Sequence, residues 1–179
     1  MRIITGRKKG AKLLYPETES CRPTTDRVKE NIYNLLSLDY RGKTVLDLFA
    51  GSGGMGLEAV SRGADFCFFT DNGKEACDII EKNIRKLDFG GCTKVYKGDF
   101  ADFLKTVKCK FDLVFLDPPY HCALVEKSLK LLKSNSLLND NAVIVVETDF
   151  DENPDTEGFE IIKQAKYGRV LVRILTERK

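Results

Sequence analysis

Asp117-Pro118-Pro119-Tyr120 closes an apolar run, Leu113-Val114-Phe115-Leu116. The run predicts a buried strand, which places the tetrapeptide at its carboxyl end. An exocyclic amino group on an aromatic ring is a poor nucleophile, because its lone pair is delocalised into the ring. Two acceptors on its two N–H bonds pull the nitrogen toward a tetrahedral state and free that pair for attack. The Asp117 carboxylate and the Pro118 carbonyl can be those acceptors, on a backbone that Pro118 and Pro119 stiffen by fixing φ. Tyr120 can stack on the ring and hold it for in-line attack, and positioning of this kind contributes several kcal/mol. Asp117 can also stabilise the cationic nitrogen as it develops. Taken alone, the tetrapeptide also has a reading as a strand-ending turn. His121 follows directly and could act as a base, although an aminium proton is acidic enough to pass to water.

A second strand-to-glycine junction lies upstream, in Val45-Leu46-Asp47-Leu48-Phe49-Ala50-Gly51-Ser52-Gly53. Gly51 to Gly56 matches G-x-G-x-x-G, which lets a backbone turn tightly and approach a ligand at a helix N-terminus. A dinucleotide is one reading, with Asp71 as the acid about 20 positions on. Asp47 weighs against it, because a carboxylate ending the strand would face an incoming pyrophosphate. An acid there suits a ligand carrying an ammonium and a sulfonium, as S-adenosylmethionine does. On that reading Asp47 and the turn at Phe49, Gly51, Ser52 and Gly53 hold the methionine end. Asp71, with Asn72 beside it, accepts from ribose hydroxyls. Asp99 accepts from the adenine amino group, with Phe100 stacked on the ring or donating its backbone N–H. Asp71-Asn72-Gly73 is also turn chemistry, and Asp99 also reads as a helix cap.

The elements that must position these residues alternate. A hairpin is predicted over residues 2–15, with its turn at Gly6 to Gly10, then a loop from Pro16 to Pro23. A helix over Asp26–Ser37 follows, capped by Thr24 or Thr25. Strands are predicted at Thr44–Leu48, Phe66–Thr70, Lys94–Lys97, Phe111–Leu116 and Ala142–Glu147. Helices are predicted at Gly56–Arg62, Lys74–Leu87, Asp102–Thr106 and Ala123–Leu132. A terminal hairpin pairs Phe159–Tyr167 with Val170–Thr176 around Gly168. Such alternation implies one α/β domain, with a mostly parallel sheet and a C-terminal antiparallel hairpin. Ligands bind beyond the carboxyl ends of strands in such sheets. Asp47, Asp71, Asp99 and Asp117 all fall there, and four mutually repelling acids on one rim suggest a site rather than packing.

The chain has 179 residues, enough for one core, and a net charge of +2. Residues 1–43 carry ten Lys/Arg against five Asp/Glu, while the remainder carries 19 against 22. The positive excess is therefore N-terminal, where Arg2, Arg7, Lys8, Lys9 and Lys12 could meet phosphates or simply be solvated. The longest apolar run, Ala142 to Val146, is far too short to span a bilayer. No export signal is evident, so the six cysteines are expected to be reduced thiols in a cytoplasmic protein. Their spacing, with the lone His121, matches no metal site.

Several segments together resemble one family. They are Arg2-Ile3-Ile4-Thr5-Gly6, Gly10-Ala11-Lys12-Leu13, Arg22-Pro23-Thr24-Thr25-Asp26-Arg27-Val28-Lys29-Glu30, the Asp47 to Gly53 loop, Gly56-Leu57-Glu58-Ala59, Ser61-Arg62-Gly63-Ala64 and Asp117 to Tyr120. The chain resembles, nearly end to end, the bacterial methyltransferases that modify guanine N2 in small-subunit ribosomal RNA. The resemblance implies a Rossmann-like class I methyltransferase with a small N-terminal β-hairpin extension. It implies S-adenosylmethionine as cofactor, no metal, and ribosomal RNA as substrate, on an assembling small subunit. Residues 1–22 then become an RNA-gripping extension of a catalytic core at 23–179, with Arg22 and Arg27 nearer the site. A monomer is expected. The chain departs from the family at Asp71, where glutamate is usual, at Gly54-Met55, and in lacking an aromatic residue near the end of the last strand. Asp-Pro-Pro-Tyr is shared with adenine-N6 enzymes, so it does not specify the base. An adenine-N6 methyltransferase and a non-catalytic RNA-binding assembly factor remain alternatives.

Overall fold

The computed structural model describes residues 1–15 and 26–178. Seven strands form one sheet in the order β3-β2-β1-β4-β5-β7-β6. In chain order the elements are α1 (Asp26–Leu36), β1 (Thr44–Asp47), α2 (Gly54–Ser61), β2 (Phe66–Asp71), α3 (Lys74–Leu87), β3 (Thr93–Lys97), α4 (Phe100–Thr106), β4 (Phe111–Leu116), α5 (Leu124–Ser134), β5 (Leu138–Asp149), β6 (Phe159–Tyr167) and β7 (Val170–Glu177). β1 to β5 pair in parallel, and β7 and β6 join as an antiparallel edge. The central strands β1 and β4 and the second half of β5 are buried on both faces, as their nearly continuous apolar sequence requires, whereas the edge strand β3 exposes Lys94 and Lys97. Val45, Leu113, Phe115 and Val145 face α1, α2 and α3, whereas Leu46, Val114, Leu116, Ile144 and Val146 face α4 and α5. No helix among the described residues is long and apolar enough to cross a membrane.

The expected alternation is present, with several boundaries shifted: α4 begins at Phe100 rather than Asp102, α5 runs Leu124–Ser134 rather than Ala123–Leu132, and β5 ends at Asp149 rather than Glu147. The second helix begins at Gly54 rather than Gly56, because Gly53 (φ +78°) reverses the chain directly into it. Its glycines are helical because α2 sits tight on β2: a Cβ at Gly56 would lie 2.4 Å from the Phe69 ring. β5 begins at Leu138 rather than Ala142. Asn139-Asp140-Asn141 resembles a turn in sequence, but a register shift between Phe111 and Leu113 absorbs it, with Asn141 at φ +60°. The predicted caps Thr24 and Thr25, with Arg22 and Cys21, lie outside the described residues.

The N-terminal hairpin is real but short, with one bridge pair, Arg2 and Lys12. It is also part of the core. Ile3 and Leu13 are buried among residues of α1 and α2. Gly6 rests on the end of α2 so closely that a Cβ there would lie 1.9 Å from the Ser61 carbonyl oxygen. The join is electrostatic as well. Glu58, fully buried on α2, accepts from the Ile4 N–H at 2.7 Å and the Thr5 N–H at 2.9 Å. Arg62 Nε donates to the same carboxylate at 2.9 Å, and Lys29 Nζ on α1 lies 3.4 Å away. Lys29 is itself fully buried, and desolvation pulls its pKa down although Glu58 raises it. Lys29 Nζ also donates to the Arg2 carbonyl at 2.6 Å.

Removing one partner of a buried pair leaves the other charge uncompensated. Glu58→Ala is therefore expected to lower stability by about 3–5 kcal/mol. Denaturant unfolding would check this, and a loss under about 1 kcal/mol would show that the cluster contributes little.

Candidate active site

The loop after β1 is fastened at several points. Leu48 N–H donates to the Phe115 carbonyl at 3.1 Å, Ala50 N–H to the Thr70 carbonyl at 3.0 Å, and Thr70 Oγ1 to the Leu48 carbonyl. From behind, the buried Asn83 side chain on α3 donates to the carbonyls of Ser52 (3.0 Å) and Leu14 (2.9 Å) and accepts from Leu14 N–H (2.8 Å). One amide thus ties the glycine loop to the N-terminal hairpin. Ser52 and Gly53 are buried beneath the turn and Phe49 is half-buried. Gly51 has φ +53°, and a Cβ there would meet nothing within 4 Å, so its outer side is open.

Asp47 ends β1 below this loop, buried, with Oδ2 accepting from Gly56 N–H at 2.9 Å. Burial pushes its carboxyl up to about 7, against the Gly56 hydrogen bond and with help from Asp117 and Asp71. Asp71 takes the turn role that its sequence also suggests. Oδ2 accepts from Gly51 N–H at 2.9 Å and Oδ1 from Gly73 N–H at 2.8 Å, which joins the two turns. Each carboxylate oxygen retains a second lone-pair site, and the side chain is half-exposed beside the surface residue Asn72. Asp99 caps α4 by accepting from Ala101 N–H at 2.8 Å, and it is exposed. The Phe100 ring is packed inward, 5.0 Å from Phe49 between centroids, with Lys127 Nζ 5.1 Å above it. The ring thus packs against Phe49 and Lys127 here, and its backbone N–H is the other expected route to a ligand.

Asp117 follows β4, half-buried, then buried Pro118 and exposed Pro119 and Tyr120. Burial, with Asp117 and Glu147 next, pushes the Tyr120 hydroxyl up, so it stays protonated. The strand register defines the grouping. Asp47 pairs with Phe115 and Val146 with Leu116, so side-chain alternation sets Asp47, Asp117 and Glu147 on one face of one rim. Glu147, two residues before the end of β5, is buried at 4% exposure, and burial, then Asp117 and Asp47, pushes its carboxyl well above the carboxylate range. The rule that finds Asp47 and Asp117, an acid ending an apolar strand, finds Glu147 too once applied to Ala142–Glu147.

A cavity of about 310 Å³ opens here, between the Pro118–Glu126 segment and the start of the β5–β6 loop. Glu152 in that loop holds both walls: Oε1 accepts from His121 N–H at 2.6 Å and Oε2 from Asp149 N–H at 3.0 Å. Arg173 on β7 anchors the loop in turn, donating to Thr148 Oγ1 at 3.0 Å and the Glu152 carbonyl at 2.9 Å. The His121 ring is exposed, 3.9 Å from Asp151 and from Glu152. His121, Asp149 and Asp151 could each offer a ligand atom within 4.8 Å, but Asp149 is ion-paired to Arg169 at 2.8 Å.

The basic residues are divided. Arg2 is paired with Asp26 at 3.3 Å, and Arg7 donates to the Val60 carbonyl at 3.1 Å over the Phe89 ring. Lys9, Lys12 and Arg27 are exposed and Lys8 is half-exposed. Lys86 of α3 joins them, donating to the Lys12 carbonyl at 2.8 Å.

This strand order, with turns converging over β1 and β4, is that of the Rossmann-like methyltransferases. The solved structure of yhhF from Escherichia coli matches with a TM-score of 0.87 at 31% identity, over 99% of this chain and 97% of that one. Ribosomal RNA small subunit methyltransferase D of Haemophilus influenzae is 39% identical over 178 residues, 97% of this chain and 92% of that protein. The Escherichia coli protein of the same name is 36% identical over 156 residues, 87% and 78% of the two chains. The family described as Conserved hypothetical protein 95 matches residues 1–176, and this chain belongs to it.

The raised Asp47 has a pH consequence. An acid whose folded pKa is raised contributes stability below its unfolded value, and that contribution is lost as pH rises through the folded one. The window runs from about 4 to about 7. Asp47→Asn keeps an acceptor for Gly56 N–H. It is expected to exceed the parent protein by a few kcal/mol at about pH 8 and to show no advantage below about pH 4. Unfolding curves at both pH values would check this; a pH-independent difference would remove Asp47 as the titrating group.

Proposed function

We propose that this protein transfers a methyl group from S-adenosylmethionine to the exocyclic N2 of a guanine in small-subunit ribosomal RNA. The observation that carries the reading is the placement of Asp117 and Pro118 at the end of β4, beside the open Gly51 turn at the end of β1. The names of the Haemophilus and Escherichia relatives support the substrate class.

The site fits the cofactor. Space opens outside Gly51, and a buried acid lies beneath it in Asp47. Asp47 would hold the cofactor's ammonium group, Asp71 the ribose hydroxyls, and Asp99 with the Phe100 N–H the adenine edge. The cofactor supplies an electrophilic methyl on its sulfonium. Asp117 and the Pro118 carbonyl accept the two N–H bonds of the target amine and free its lone pair, while Tyr120 covers the ring. A base in folded RNA must first be turned out of its stack, at about a few kcal/mol. The basic face around Lys8, Lys9, Lys12 and Arg27 would steady the RNA, in an assembling subunit in the cytoplasm, with the protein acting as a monomer.

The reading is tested by supplying undermethylated small subunits, naked ribosomal RNA and duplex DNA with methyl-labelled cofactor, then locating the label by nucleoside mass spectrometry. N2-methylguanosine is the expected product; N6-methyladenine would replace the substrate while leaving the site roles intact. Asp117→Ala is expected to abolish transfer with cofactor affinity near wild type, and joint loss would make Asp117 a cofactor-binding or structural residue.

Replacing Lys8 and Lys9 by Ala is expected to weaken RNA binding and flatten its salt dependence, with the slope falling by roughly one for each phosphate no longer neutralised. An unchanged slope would take the hairpin out of the interface.

A further inference from the structure

The cavity beside Asp117 contains a buried acid that the proposed transfer does not use. Glu147 is 4% exposed and lines the cavity with Pro118 and Tyr120. Among the described residues the charges acting on it are those of Asp117 and Asp47, both acidic. Arg173, on the neighbouring strand, pairs in register with Val146 and so belongs to the opposite face, where it holds Thr148 and the Glu152 carbonyl. Burying a carboxyl against two others is unfavourable, and packing alone gives no reason for it.

Its position says what it faces. Strand order runs β1, β4, β5, so Glu147 stands on the side of Asp117 away from the glycine loop. Neighbouring strands lie about 4.8 Å apart, which sets the two carboxyls side by side. Two acceptors at that spacing suit a planar ring that presents two N–H groups side by side. A 2-aminopurine ring with a protonated N1, the edge of guanine, presents such a pair.

We propose that Glu147 is the second base-binding group of the site, accepting the ring N1–H beside the amine that Asp117 and Pro118 hold, and so selecting guanine. This rests on the guanine-N2 reading above. The ring N1–H stabilises the ionised form of Glu147, which burial beside Asp117 and Asp47 disfavours in the empty site, whereas adenine presents an acceptor next to its amine and gives that form no partner. Glu147 touches the substrate on this account but takes no part in moving the methyl group.

The test compares the wild type with Glu147→Gln and Glu147→Leu on RNA carrying either guanine or 2-aminopurine at the nucleotide that the wild type methylates. 2-Aminopurine keeps the reacting amine and replaces the N1 donor by an acceptor. Single-turnover rates are measured for both RNAs, with cofactor affinity by calorimetry as the check on folding. The wild type is expected to prefer guanine by roughly ten- to a hundredfold, the range of one hydrogen bond to a charged group. Glu147→Gln should narrow that ratio, because its amide can donate to the 2-aminopurine N1, while keeping most of the rate on guanine. Glu147→Leu should lose rate on guanine and lose the preference. A guanine preference unchanged in Glu147→Gln, with both rates lowered equally or not at all, would overturn the assignment and leave the guanine-N2 reading standing. Wild-type label on a base other than guanine would overturn both.

Discussion

One buried carboxylate, that of Glu58, holds together parts of the chain that otherwise share little. Its two oxygens take two backbone N–H groups of the hairpin and the Arg62 guanidinium, with the Lys29 ammonium alongside. The helix that carries it begins directly from the glycine turn. A displacement of Glu58 therefore moves the hairpin, α1 and the turn together. A charge in such a place is tolerated only when its lone pairs are met, and here four donors surround it. Asn83 repeats the device with a neutral group, joining hairpin to turn from the opposite side.

The rim of the sheet shows the reverse arrangement. Asp47, Asp117 and Glu147 lie together with little cationic compensation among the described residues, and two of the three are driven toward their neutral forms. Such a cluster weakens the empty protein above neutral pH and favours positively charged or N–H-rich ligands there. Crowding of like charges costs stability at the rim, while at Glu58 four donors surround one carboxylate. The same residue types thus play opposite parts according to the partners that the fold brings to them.

Much of this was legible in the chain. Lys74–Leu87 shows its helical period plainly, and the terminal hairpin around Gly168 and the Asp47 and Asp117 junctions are marked by strand-to-turn transitions. The start of β5 was not, because Asn139-Asp140-Asn141 carries turn chemistry that a bulge accommodates through tertiary pairing. Glu58 was visible only as one charge in an apolar helix, since the hairpin N–H groups that it holds lie more than fifty residues away in sequence. The inward packing of Phe100 was hidden for a similar reason: whether an aromatic at a strand end faces ligand or core depends on Phe49 and Lys127, which arrive from other elements. The hairpin's basic residues announced a charged surface, but not that Arg2 and Arg7 would be occupied by the fold itself.

The antiparallel entry of β7 between β5 and β6 has an architectural consequence. It obliges the chain to leave β5 and double back, so that the segment around Glu152 crosses the mouth of the cavity before returning to the edge of the sheet. The proposed reacting groups and the doorway therefore come from separate stretches of sequence, the first at strand ends and the second on a connection pinned by Glu152 and Arg173. Changes of length beyond Glu152, between residues 154 and 158, would alter the entrance while leaving the Glu152 bonds to His121 and Asp149 in place. The fold can in this way change the size of what it admits while the chemistry it performs is conserved.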